Sequence, residues 1–281
     1  MGKQKKKQKK RGNPLWTLVF LAALAVFCFS GYKLIGIYLD YKTGTDEYRD
    51  LQQYTTEITK TPETPAPTKT EEPQAESEPA EPSEPEPEPL SYPTEPPLAV
   101  DFESLKAINP DVKGWLYIEA LDISYPVVQG PDNDAYLHTT YEGTSNFAGS
   151  IFLDYQNQGD FSDGNTIVYG HNMKNGAMFA NIKKFADHDY FINHPEVYIY
   201  LPDGSINVYS VYSTKIIDAT SDYYLKDIDY ASYVANAKSS AKQSRDVDTQ
   251  NGAPLLLLST CYAPDTTTRS VLFARLEKNV K

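Results

Sequence analysis

Three side chains in the C-terminal two-thirds of this 281-residue chain could do nucleophilic chemistry together: Cys261, His171 and Arg269. Cys261 ends an apolar run, Leu255-Leu-Leu-Leu-Ser-Thr-Cys261, with the length of a buried strand. Arg269 opens a second strand-like run eight residues later, beyond a short loop with Pro264 and three threonines. The layout predicts a thiol and a guanidinium at the same end of two neighbouring strands. A thiol beside a fixed positive charge is where a thiolate can be stabilised. The residues also allow a plainer reading, a small apolar cysteine closing a core strand. His171 follows the strand-like Thr166-Ile-Val-Tyr-Gly170 and opens a loop, with Gly170 expected to let the backbone turn and expose the ring. A histidine can charge the thiol's surroundings and move a proton, whereas arginine stays protonated and is suited to an oxyanion or a carbonyl. His138, His188 and His194 sit at a turn or beside aromatic residues, where capping or packing is the expected role.

The elements that must hold these groups are short strands. Apolar runs at Trp115–Ile118, Ile123–Val128, Ser150–Asp154, Thr166–Tyr169, Val197–Leu201, Ile206–Ile217, Leu255–Thr260 and Val271–Leu276 are separated by turn signals such as Asp203-Gly204. Phe102, Leu105 and Ile108 share one face of a helix stopped at Asn109-Pro110, and two more helical segments are expected near Met178–Phe185 and Tyr230–Gln243. About 180 residues with eight strands can close a barrel around their own core. The expected fold is mostly β, an eight-stranded barrel with peripheral helices.

Upstream, residues 1–14 form a basic tail and Leu15 to Tyr32 carries no charge, a length that spans a hydrocarbon core. The flanking charges favour a cytoplasmic N-terminus. Ala23-Leu24-Ala25 looks like a cleavage triplet, but apolar residues continue through Phe29, so residues 15–39 read as an uncleaved signal anchor. Residues 40–98 read as a juxtamembrane segment and a Pro/Glu-rich disordered stalk, of which Thr61 to Pro97 at about 3.1 Å per residue would reach roughly 100 Å. The catalytic domain is expected over 99–281. Net charge is +5 over residues 1–59, -8 over 60–98 and -9 over the remainder. An acidic globular part argues against nucleic acid. Cys28 lies in the apolar run, so Cys261 is the one thiol of the globular part, and no Cys/His cluster suits zinc.

With these motifs in place, the sequence resembles the sortases, cysteine transpeptidases of Gram-positive surfaces, and more narrowly the class B sortases. The resemblance covers roughly residues 99–281. It rests on Leu258-Ser-Thr-Cys261 with Arg269, on Ile167-Val-Tyr-Gly-His-Asn-Met173 with Met178-Phe179, on Ile108-Asn-Pro-Asp-Val-Lys-Gly-Trp115, and on Tyr125-Pro-Val-Val-Gln-Gly-Pro-Asp-Asn133. It implies a sortase-type barrel with Cys261 as nucleophile, His171 as general acid/base and Arg269 as oxyanion or substrate stabiliser. It also implies peptide-groove positions at Asn133, Leu137, Tyr169, Thr220, Tyr224, Leu225, Ser259 and Thr260. The Cys261–Arg269 loop is short and carries Tyr262 where some class B members place an acidic residue. The implied partners are exported proteins with a C-terminal sorting signal, an amine acceptor from peptidoglycan or a pilin lysine, and the membrane through the N-terminal helix. No cofactor or metal is implied. A thiol and an imidazole that exchange protons predict a bell-shaped pH profile. Rival readings are a cell-wall cysteine peptidase and a non-catalytic adhesin on a stalk.

Overall fold

Eight strands hydrogen-bond into one closed ring in a computed structural model of the chain, which describes residues 14–58, 96–248, 252–262 and 267–281. In chain order they are β1 (Val112–Ile118), β2 (Ile123–Val128), β3 (Ile151–Leu153), β4 (Asn165–Tyr169), β5 (Glu196–Tyr200), β6 (Ile206–Asp218), β7 (Leu255–Cys261) and β8 (Thr268–Val280). Around the ring the order is β1, β2, β3, β4, β7, β8, β6, β5 and back to β1. The β2–β3 and β4–β7 neighbours run parallel and the rest antiparallel.

The unbroken leucine run of β7 has a simple cause. Leu256 and Leu258 point into the barrel core with Trp115, Leu116 and Val168. Leu255 and Leu257 point outward into a second cluster with Tyr212, Tyr233, Val234 and Phe273. A strand covered on both faces needs apolar residues at every position, not at alternate ones. The outer cover includes the helix Tyr230–Lys238, capped by Asp229, whose side chain accepts from the Ser232 N–H at 3.0 Å.

Among the described residues four α-helices accompany the barrel: α1 (Pro14–Asp50), α2 (Phe102–Ile108), α3 (His188–Asn193) and α4 (Tyr230–Lys238). On α2 the expected apolar face is only partly used: Leu105 is fully buried but Ile108 is exposed. The segment expected as a helix from Met178 begins later, as 3-10 turns over Ala180–Ala186, because Met178 takes a left-handed φ of 56°. The helix expected over Tyr230–Gln243 stops at Lys238. Ser240 turns the chain with φ of 55°, and Gln243–Ser244 then pairs with the outer edge of β6.

The N-terminal helix has two parts. From Leu15 to Leu39 its apolar residues lie exposed, and this stretch is long and apolar enough to cross a membrane. Beyond it the helix docks on the barrel, with Glu47 and Tyr48 buried, followed by a 3-10 turn whose Leu51 is buried too. The folded unit therefore starts well before the expected boundary at residue 99. Gln52 donates to the Ser124 carbonyl at 2.6 Å, and Thr55–Glu57 pairs antiparallel with Leu98–Val100. The Ile58 N–H then meets the Pro97 carbonyl at 2.9 Å. The basic tail through Asn13 and the Pro/Glu-rich stretch, apart from its last two residues, lie outside the described residues, as do residues 263–266 of the loop between Cys261 and Arg269.

Candidate active site

Cys261 and Arg269 are directly opposed in the antiparallel β7–β8 ladder. Opposed residues project from the same face of a sheet, so the thiol and the guanidinium share one side. On the other flank β4 runs parallel to β7 with Ser259 opposite Tyr169. The ladder continues one step as the Gly170 N–H donates to the Ser259 carbonyl at 3.1 Å. Asn172 then donates through Nδ2 to the Cys261 carbonyl at 2.9 Å. His171 lies between these two tie points. Three adjacent strand ends thus bring His171, Cys261 and Arg269 to one level of the rim, and all three line a cleft of about 240 Å³.

Gly170 is required for a reason other than the expected sharp turn. Its φ is not in the left-handed region, but a Cβ there would sit 2.5 Å from Ile151 Cδ1 and 2.8 Å from the Phe179 ring. The glycine lets β4 close against the core just before the histidine. His171 is accordingly half-buried, not exposed as the sequence suggested. Its Nε2 lies 2.7 Å from the Leu137 carbonyl oxygen. A carbonyl only accepts, so Nε2 carries a proton and Nδ1 is left to exchange one. Burial lowers the His171 pKa from its ordinary 6.5. The Leu137 hydrogen bond opposes that shift and the neighbouring His138 adds to it. The His138 ring stacks on His171 with centroids 5.5 Å apart and planes 12° from parallel.

The remaining walls are polar and aromatic. Tyr224 and Ser259 share a hydroxyl hydrogen bond of 2.8 Å, and the Tyr224 ring stacks on Tyr169 at 6.0 Å. Burial and the nearby Asp154 carboxylate push the Tyr169 phenol upward. Arg269 donates through Nη1 to the Thr268 carbonyl at 3.2 Å. Thr260 is buried, and its hydroxyl has no hydrogen-bond partner among the described residues.

Of the groove positions expected from the sequence, Asn133, Leu137, Tyr169, Tyr224, Ser259 and Thr260 line this cleft and Thr220 and Leu225 do not. The Thr220 backbone N–H and hydroxyl both donate to the Asp218 carboxylate, at 2.9 and 2.7 Å, which closes a local turn. The Leu225 side chain is 55% exposed, and its carbonyl accepts from Asn165 at 2.8 Å. Phe152, Gly170 and Ala219 complete the lining. Phe152 and Ala219 carry no reactive group, so nothing in their type marked them. Among the described residues no group of three or more His, Cys, Asp and Glu side chains gathers to hold a metal ion.

The sequence pattern of the sortase domain matches residues 116–277 of this chain. The chain belongs to the sortase family. Sortase B of Listeria monocytogenes is 36% identical over 170 residues, covering 57% of this chain and 67% of that protein. The crystal structure of Clostridium perfringens sortase B has 34% identity and a TM-score of 0.59, covering 63% of this chain and all of that one. A Streptococcus pyogenes class B sortase described as involved in pilus biogenesis has 29% identity and a TM-score of 0.59, covering 63% of this chain and 98% of its own. Both the class B assignment and the eight-stranded barrel expected from the sequence agree with these relatives. This sortase is an enzyme of the cysteine transpeptidase type.

Proposed function

We propose that this sortase is a membrane-anchored transpeptidase that cleaves a C-terminal sorting motif after threonine and joins the protein to an amine of the cell wall. The reading rests on one observation, the alignment of His171, Cys261 and Arg269 across three adjacent strand ends at the mouth of one cleft. The Cys261 thiolate attacks the threonine carbonyl carbon, and Arg269 balances the oxyanion. The C–N bond breaks as His171, protonated at Nδ1, gives its proton to the leaving amine. The resulting Cys261 thioester is then attacked by an acceptor amine, which loses its proton to Nδ1 as the thiolate departs. One amide is exchanged for another, with no net redox change. Asn133, Leu137, Tyr169, Tyr224, Ser259 and Thr260 form the peptide wall in this reading. The helix from Leu15 to Leu39 spans the membrane, with the basic tail cytoplasmic and the barrel facing the wall.

The decisive experiment incubates residues 41–281 with candidate sorting peptides, with and without an amine nucleophile. The expected result is a Cys261 acyl-enzyme by mass spectrometry that converts to an amide product when amine is added. Hydrolysis unaffected by amine would point to a cysteine peptidase instead. A pilin lysine as acceptor is a second reading, favoured by the likeness to the Streptococcus pyogenes enzyme described as involved in pilus biogenesis. Competition between a wall-type peptide amine and a pilin lysine peptide separates the two.

A further inference from the structure

Asp154 follows β3 and is buried at 7% exposed, yet it does not itself line the cleft. Its backbone is held on both sides. Its N–H donates to the Ile167 carbonyl at 2.9 Å, and its carbonyl accepts from Gln129 Nε2 at 2.9 Å and from the Asn157 N–H at 3.0 Å. Its Oδ1 accepts from the Gln156 N–H at 2.9 Å. That leaves Oδ2, which accepts from two cleft residues brought from distant parts of the chain. Asn133 Nδ2 donates at 2.8 Å and the Tyr169 hydroxyl at 2.9 Å. A carboxylate that served only the turn would need Oδ1 alone.

The two bonds fix more than position. Ionised Asp154 can only accept, so the Tyr169 hydroxyl must spend its single proton on it and offers a substrate only lone pairs. Asn133 is oriented at both ends, since its Oδ1 also accepts from the Tyr155 N–H at 3.1 Å. Its amide nitrogen then has one N–H besides the one on Asp154. Asp154 thus leaves this pair with one donor, on Asn133, and one acceptor, on Tyr169, the polarity of a single peptide unit in an extended chain.

We propose that Asp154 is a positioning residue for the peptide substrate, setting Asn133 as donor and Tyr169 as acceptor so that the cleft reads peptide backbone. This rests on the transpeptidase reading above for its substrate, but not for its geometry. The test uses the full chain in detergent micelles and compares wild type with Asp154→Asn, Tyr169→Phe and the double variant. Asp154→Asn keeps the shape but offers a donor where two donors converge. The expected result is a rise in KM for the sorting peptide of roughly tenfold, the scale of a lost charge-assisted hydrogen bond. The kcat changes less than about twofold and the pH profile does not move, because the reacting groups are untouched. The double variant adds little to Asp154→Asn, since both changes break the same bond. An unchanged KM, or a kcat that falls in step with thermal stability, would overturn the proposal. A substrate-independent reading comes from the Asn133 side-chain amide in ¹H–¹⁵N spectra. One proton is expected downfield in wild type and shifted in Asp154→Asn. If it stays in place the assignment is wrong. If wild type cleaves no sorting peptide, the transpeptidase reading fails while this signal still decides the role of Asp154.

Discussion

The rim that carries the cleft and the face that receives α1 lean on the same loop, the stretch between β2 and β3, but they use it in opposite ways. At the rim, the Leu137 carbonyl meets half-buried His171, and the neighbouring groups are polar side chains around an open cleft. At the docking face, Tyr48 is 5% exposed and its hydroxyl donates to the Gly149 carbonyl at 2.6 Å. Ser150 Oγ lies 3.1 Å from the same hydroxyl and donates its own hydrogen bond to the Thr139 carbonyl at 2.8 Å. Asn146 holds the Asp40 carbonyl at 2.8 Å. One region gains by keeping reactive groups partly wet, and the other by removing a large ring from water. The two differ, then, in what a substitution should change: turnover at the rim, stability at the dock.

The comparison is broken most sharply at Cys261, the nucleophile of the proposed reaction. Cys261→Ala is expected to lower transpeptidation by on the order of 10⁴-fold, with the melting temperature nearly unchanged. A variant that still formed acyl-enzyme would remove Cys261 from its role. Next comes the opposite corner. Tyr48→Ala should cost about 3–5 kcal/mol in denaturant unfolding, the usual range for emptying a buried aromatic site. Tyr48→Phe should cost about 1 kcal/mol, for the hydrogen bond alone. Per folded molecule, kcat should be that of wild type in both. A kcat loss in Tyr48→Phe would mean the dock reaches the chemistry through the shared loop.

Gly149 is where the two regions meet. It has a left-handed φ of 55°, and a Cβ there would lie 2.3 Å from the Leu137 carbonyl oxygen. Gly149→Ala should therefore cost roughly 2–4 kcal/mol of stability and also lower kcat, because the His171 partner must move. Normal kcat in this variant would show the rim tolerates displacement of that carbonyl. A smaller effect is expected from the dock's other neighbour. Residues 58 and 97 are already hydrogen-bonded, so replacing 60–95 with a four-residue turn should preserve the fold and activity. Stability should rise by up to about 2 kcal/mol through the shorter closure. Loss of folding on that replacement would assign the segment a structural role.

The mildest effect is with pH. Burial holds the folded His171 pKa below 6.5, so the unfolded chain binds that proton more readily. The stability from neutral His171 is complete above pH 6.5 and is lost as pH falls through the lower folded value. His171→Gln should flatten this part of the acid-side loss in a pH series of unfolding curves. In activity, the limb that needs imidazolium should fall away at a lower pH than for an ordinary histidine. A limb at or above 6.5 would contradict the effect of burial.

Much of this protein was readable in one dimension because its signals are local. The leucine run of β7 and the charge-free stretch from Leu15 each report an environment that a few neighbouring residues can encode. So the eight strands, the family and an N-terminal helix apolar enough to cross a membrane were legible. What stayed hidden depends on partners far along the chain. Asp154 looks like any strand-end carboxylate until Asn133 and Tyr169 converge on it. Tyr48 lies in a weakly patterned segment and is buried only because Gly149 and Ser150, about a hundred residues away, arrive beside it. Thr220 and Leu225 lie outside the cleft for the same reason, since turn closure at Asp218 and exposure at Leu225 are settled by the folded surroundings. The sequence by itself determined which residues can react and which stretches form strands. Only the tertiary structure decided which polar groups meet, because hydrogen bonds across a barrel depend on register and closure that no local pattern carries.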